Sequence, residues 1–175
     1  DYFAIGQRIE GYNIQDLGLG TVNAKPFTLS FWAYSSLTGT FGGAITSGGS
    51  DASYGFTYTI ASANTWTYVT VSVPATSTGT WNANSNSTGM QIYWGLGVGS
   101  TYSATAGSWG STNAFGATGG LSVVATGSAT FYITGVQLEV GSSATSFEWR
   151  PFTKELQLCQ RYYHKSFNYS VAPSN

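Results

Sequence analysis

From Pro26 to Leu138 the chain carries one charged side chain, Asp51, and through that stretch apolar and polar residues take turns. The segments "FTLSFWAYS" (27–35), "YGFTYTIA" (54–61), "TWTYVTVSV" (65–73), "MQIYWGLGV" (90–98) and "ATFYITGVQLEV" (129–140) alternate with a period of two and are rich in β-branched and aromatic residues. That pattern belongs to strands with one face buried and one face wet. Gly, Ser and Asn cluster between them at 46–53, 74–89 and 104–120, as turns and long loops require. The fold is therefore expected to be all-β, a two-sheet antiparallel β-sandwich (jelly roll) over residues 1–150, because half-buried sheets must cover their apolar faces with one another. Phe31 or Trp32, Val71, Ile92, Phe131 and Ile133 are expected to point inward, and helix before residue 150 to be confined to isolated turns.

After Pro151 the period changes. Leu156, Cys159, Gln160 and Tyr163 fall at the spacing of one helix face, with Thr153 as the expected N-cap, so a short helix near 153–163 and an exit linker make up residues 151–175. The extended connector is expected over 167–175, around Pro173. The lone Cys159 has no internal disulfide partner and is expected to act as a small buried hydrophobe.

Charge and composition exclude several functions. With six Lys and Arg in all and none between Pro26 and Leu138, the chain offers no footprint for nucleic acid. No run of eighteen apolar residues occurs, so membrane insertion is not expected. Asp1 in place of an initiator Met points to a piece of a longer or processed chain. Glycoside hydrolysis generally uses two facing carboxyl groups, yet Glu10, Asp16, Asp51 and Glu139 are scattered over different segments. His164 lies in the helical tail with no catalytic partner in sight, and metal spacing of His and Cys is absent. The sequons at Asn86 and Asn168 arise readily by chance in a chain so rich in Ser and Thr.

Aromatic residues, 16% of the chain, carry the stronger signal. Phe27, Phe31 and Trp32 lie within a strand, and most of them are expected in the core. Trp81 and Trp109 instead stand in loops, in "TGTWNANSNS" and "AGSWGSTN", with Asn82, Asn84 and Asn113 nearby. An aromatic face edged by amides and hydroxyls matches the needs of a sugar ring; the other reading is a lid packed over the end of the sandwich. The charges withheld from the body reappear as Glu139, Glu148, Arg150, Lys154, Glu155, Arg161 and Lys165. There, Glu148 or Glu155 with Arg150 or Arg161 would give directional pairs to a neighbouring chain, with Tyr162 and Tyr163 as contact area; the alternative is an ordinary solvated helix face.

Four stretches, "TLSFWAYSSLTGTF" (28–41), "YTIASANTWTYVTVSVP" (58–74), "TGTW" (78–81) and "FYITGVQLEVGSSATSFEWRPFTKELQLCQRYY" (131–163), together resemble a β-sandwich module of tail-fibre and other virion-appendage proteins of tailed bacteriophages. That module is itself similar to carbohydrate-binding jelly rolls. The resemblance implies a non-catalytic virion component that serves structure or attachment to host-surface glycans. Its expected partners are other copies, a trimer by resemblance, and other virion proteins. Related carbohydrate-binding modules often hold a structural calcium through an acidic residue in an Ile-Asp-Asp type run of the last strand; Ile133-Thr134-Gly135 stands there in this chain, so no cofactor is expected, with a calcium held by oxygens alone as the alternative. A carbohydrate-binding module cut from a secreted polysaccharide-degrading enzyme is the alternative.

Overall fold

The computed structural model describes residues 1–163, 165, 167, 170 and 171. His164, the Asn168 sequon and most of the expected connector, including Pro173, lie outside the described residues. Two compact units form, Asp1–Thr145 and Ser146–Asn175.

The first unit is an all-β, two-sheet antiparallel sandwich. Its strands are β1 (Tyr2–Glu10), β2 (Phe27–Ser35), β3 (Gly39–Ser47), β4 (Ser53–Ile60), β5 (Thr67–Val73), β6 (Thr88–Val98), β7 (Ser103–Ala104), β8 (Trp109–Gly110), β9 (Gly116–Ala117) and β10 (Phe131–Val140). One sheet has the order β1-β6-β3-β4-β8 and the other β10-β2-β5, while β7 and β9 form a small parallel pair. Helix in this unit is limited to 3-10 turns at Gly11–Leu17, Ser100–Tyr102 and Val123–Ala125.

Strand parity builds the core. In β2, Phe27, Leu29, Phe31 and Ala33 are fully buried and meet Phe41, Ile45, Phe56, Tyr58, Ile60, Met90, Ile92 and Trp94 from the larger sheet. Phe31 sits at the centre, edge-on to Tyr58 at 5.2 Å and to Trp94 at 5.6 Å, an arrangement that the ring quadrupole favours. Gly43 of β3 makes this packing possible, since a Cβ there would lie 2.2 Å from the Phe56 ring. Val71, Phe131 and Ile133 pack against the core while partly buried. Of the two residues expected to supply the inward side chain, Phe31 does so and Trp32 is 43% exposed, because adjacent strand residues face opposite sides.

The second unit contains α1 (Phe152–Gln160). Its N-cap is Pro151, with no side-chain cap, rather than the expected Thr153; the fixed φ of proline already suits the start of a helix. No residue of α1 is buried, so Cys159 is exposed rather than packed away as expected. None of the helices among the described residues is long and apolar enough to cross a membrane.

Candidate functional site

The two loop tryptophans meet at one place and close it. Trp81 is 3% exposed and belongs to the core, its indole N–H donating to the Thr78 carbonyl at 2.8 Å. Trp109, half-buried, stands edge-on to Trp81 at 5.6 Å and donates to the Pro74 carbonyl at 2.8 Å. Asp51 fixes the same loop from below. Its carboxylate accepts from the Ser47 hydroxyl at 2.7 Å, the Thr80 N–H at 2.8 Å and the Thr80 hydroxyl at 2.7 Å. Those donors, Ser47 first, stabilise the charged form and hold its carboxyl down at about 2. Asn82 donates to the Thr88 carbonyl and Asn84 accepts from Gln15, so both amides hold the loop together. Asn113 is exposed on the loop between β8 and β9. The expected sugar platform at Trp81 is thus a lid over the sandwich end, with no open ring face to offer.

An open aromatic surface exists elsewhere, on the outer face of the three-stranded sheet. β2 is the middle strand and turns Trp32 and Tyr34 outward; β5 and the residue just before it contribute Tyr68 and Trp66, and β10 contributes Tyr132. Register brings them together, since Tyr132 pairs with Tyr34, and Trp32 with both Thr134 and Tyr68. Ring centroids lie 5.5 Å apart for Tyr132–Tyr34, 5.4 Å for Tyr34–Trp66 and 5.2 Å for Trp32–Tyr68. Trp32, Trp66, Tyr68 and Tyr132 are each 43–53% exposed. The Tyr34 hydroxyl donates to Asn64 Oδ1 at 3.3 Å, and Thr70 and Thr134 are exposed beside the rings. A bulge in β10 at Gly135, with φ of 59°, leaves room for Trp32: a Cβ at that glycine would stand 3.2 Å from the indole.

This face was legible in the period-two alternation of "FTLSFWAYS" and "TWTYVTVSV". One parity carries Phe27, Leu29, Phe31 and Ala33 in the first and Val69, Val71 and Val73 in the second, and the other carries the large aromatics, so Trp32, Tyr34, Trp66 and Tyr68 share the outward side.

Acidic residues are dispersed over separate elements. Glu10 ends β1, Asp16 lies in the first 3-10 turn and Asp51 is engaged as described. Glu139 accepts from the Thr145 N–H at 2.9 Å and the Thr145 hydroxyl at 2.7 Å, contacts that lower its carboxyl below the usual range. Among the described residues no three His, Cys, Asp or Glu side chains cluster as metal ligands would.

In the second unit Arg150 binds Glu148 at 3.0 Å and Glu155 at 3.3 Å, pairs formed within the chain. Phe147 and Trp149 stand edge-on at 5.2 Å. Arg161, Tyr162 and Tyr163 are exposed, as are Trp149 at 87% and Phe152 at 77%.

Comparison with protein-family models, with curated proteins and with solved structures gave no match to this chain.

Proposed function

We propose that this chain is a non-catalytic attachment module that binds surface glycans through the outer face of its three-stranded sheet, as part of a phage virion appendage such as a tail fibre. One observation carries the reading: five aromatic side chains, Trp32, Tyr34, Trp66, Tyr68 and Tyr132, stand together on a sheet face without Lys or Arg, with Asn64, Thr70 and Thr134 at its margin. Exposed apolar patches of this kind mark binding surfaces, and rings edged by neutral hydrogen-bonding groups suit sugars. The virion setting rests on the sequence resemblance.

Assembly with other copies, a trimer by that resemblance, and with other virion proteins is assigned to the second unit. There Trp149, Phe152, Leu156, Leu158, Tyr162 and Tyr163 are all more than 40% exposed, and aromatic residues with Arg are favoured in interface cores. The same exposed unit favours an appendage over a module released from a secreted enzyme, which needs no assembly element. Weak single sites then act together, since linked copies add about 10² to 10⁴ in avidity.

The test is glycan-array binding of the parent and of a Trp32→Ala, Tyr132→Ala double variant. Binding lost in the variant and kept after Trp109→Ala supports the reading. An array that stays blank for the parent, or binding unchanged in the double variant, contradicts it.

A further inference from the structure

We propose that the open aromatic face takes a single extended, neutral chain of pyranose units that runs across the strands rather than along them. This inference rests on the glycan-binding reading above and adds to it the class of ligand and its path.

The path follows from where the rings stand. Tyr132, Tyr34 and Trp66 form a row that crosses from β10 over β2 to the start of β5, with centroid steps of 5.5 and 5.4 Å. Trp32 and Tyr68 form a shorter row with a 5.2 Å step, displaced by two residues, about 7 Å along the strands. The next pair in that direction is Ser30 with Thr70, which brings no ring. Steps of that size are close to the length of one sugar in an extended chain. A glycan laid along the longer row therefore meets a ring at each of three successive units. Laid along β2 it meets Tyr34 and Trp32 and then runs out of aromatic surface.

Tilt narrows the class further. Successive rings are inclined by 67° for Tyr34–Tyr132, 53° for Tyr34–Trp66 and 45° for Trp32–Tyr68. Rings so inclined cannot lie together on a flat crystalline polysaccharide. They suit a free chain whose successive units are turned relative to one another.

Charge complementarity sets the last limit. Trp32, Tyr34, Tyr68 and Tyr132 stand on β2, β5 and β10, and Trp66 just before β5; these three strands hold no Lys or Arg, and their one charged residue, Glu139, pairs with Thr28 at the far end of β10. None of these three strands carries a cation to pair with a carboxylate, sulfate or phosphate on an acidic glycan. Among the described residues, the indole N–H groups of Trp32 and Trp66 and the hydroxyls of Tyr68 and Tyr132 make no hydrogen bond, and they are aimed from an exposed face. Burying such donors against an apolar protein surface would cost their hydration, whereas sugar hydroxyls supply acceptors.

Isothermal titration of the whole chain with the soluble hexasaccharides of β-linked glucose, mannose and xylose tests this, alongside polygalacturonate and a pull-down on microcrystalline cellulose. At least one neutral hexasaccharide should bind. Tyr34→Ala, Tyr132→Ala and Trp66→Ala should each weaken it by about tenfold, with Trp32→Ala weakening it less. Tyr34→Phe should keep the affinity, which guards against a mere folding defect, as should melting temperatures within about 4 °C of the parent. If a hexasaccharide binds and all three row variants bind equally well, the path and the placement on this face are overturned, while glycan binding by the chain itself stands. Preference for polygalacturonate or for cellulose crystals overturns the ligand class, and a larger loss from Trp32→Ala than from Tyr132→Ala overturns the path. Binding to none of these probes overturns the inference together with the reading beneath it. A parent oligomer that falls apart on Tyr34→Ala, seen by sedimentation, shows instead that the face joins copies of the chain.

Discussion

Two regions of the sandwich gather tryptophans among small neutral residues, and they do opposite things. At the loop end Trp81 and Trp109 face each other, and the carbonyls of Thr78 and Pro74 take their indole N–H groups. On the sheet face Trp32 and Trp66 keep their rings 43% and 45% exposed, and no backbone carbonyl among the described residues takes their N–H groups. A ring whose polar atom and surface are both satisfied by its own chain holds structure. A ring with both left open is available to a ligand. Composition around the residue does not separate the two cases; the direction in which the backbone sends the ring does.

Truncation should expose that difference most sharply. Trp81→Ala removes a core ring and should cost about 3–5 kcal/mol in denaturant unfolding, while Trp32→Ala, from an exposed face, should cost under about 1 kcal/mol. Equal losses would break the comparison. Tyr58 sharpens it from the core side, because its hydroxyl is buried and without a hydrogen-bond partner among the described residues, and burial pushes its ionisation upward. Tyr58→Phe should therefore stabilise by about 1 kcal/mol; marked destabilisation would mean that the hydroxyl has a partner.

Asp51 allows the loop end to be tested by pH. Its carboxyl is held at about 2 against 3.8 for the ordinary group, so the contribution is full above the higher value and fades as pH falls through the lower one. Asp51→Asn should lose about 1 kcal/mol near neutrality, after discount for an exposed site, and its stability should change less than the parent's between those two pH values. A parent curve that overlays the variant there would refute the pinning role. The smallest effect is expected at Tyr34→Phe, which gives up one long hydrogen bond to Asn64 at under about 0.5 kcal/mol in thermal unfolding; a larger loss would make Tyr34 a structural residue like Trp81.

The alternation that defines the strands reads directly from the sequence, because a period of two is a local property of the chain. Phe31 and Ile92 follow it into the core. Trp32 defeats a reading by hydrophobicity alone: the largest apolar side chain of its segment points outward, and only strict parity from Phe27 to Tyr34 reveals this. Trp81 fails in the other direction. How deeply a Gly/Ser/Asn loop lies over the end of a sandwich depends on contacts such as Thr80 with Asp51, 29 residues away, and no local pattern encodes them. Cys159 and the helix around it carry an apolar period, yet no residue of α1 is buried, because a periodic face states that something should cover it without stating what.

The central claim is that the sheet face, and not the loop end, meets the ligand. Nitrogen-labelled protein titrated with a neutral hexasaccharide tests it directly, since each of the six tryptophans contributes its own indole N–H signal. The signals of Trp66 and Trp32 should move, and those of Trp81, Trp94 and Trp109 should stay in place. Movement of Trp81 and Trp109 with Trp32 and Trp66 unmoved would contradict the claim.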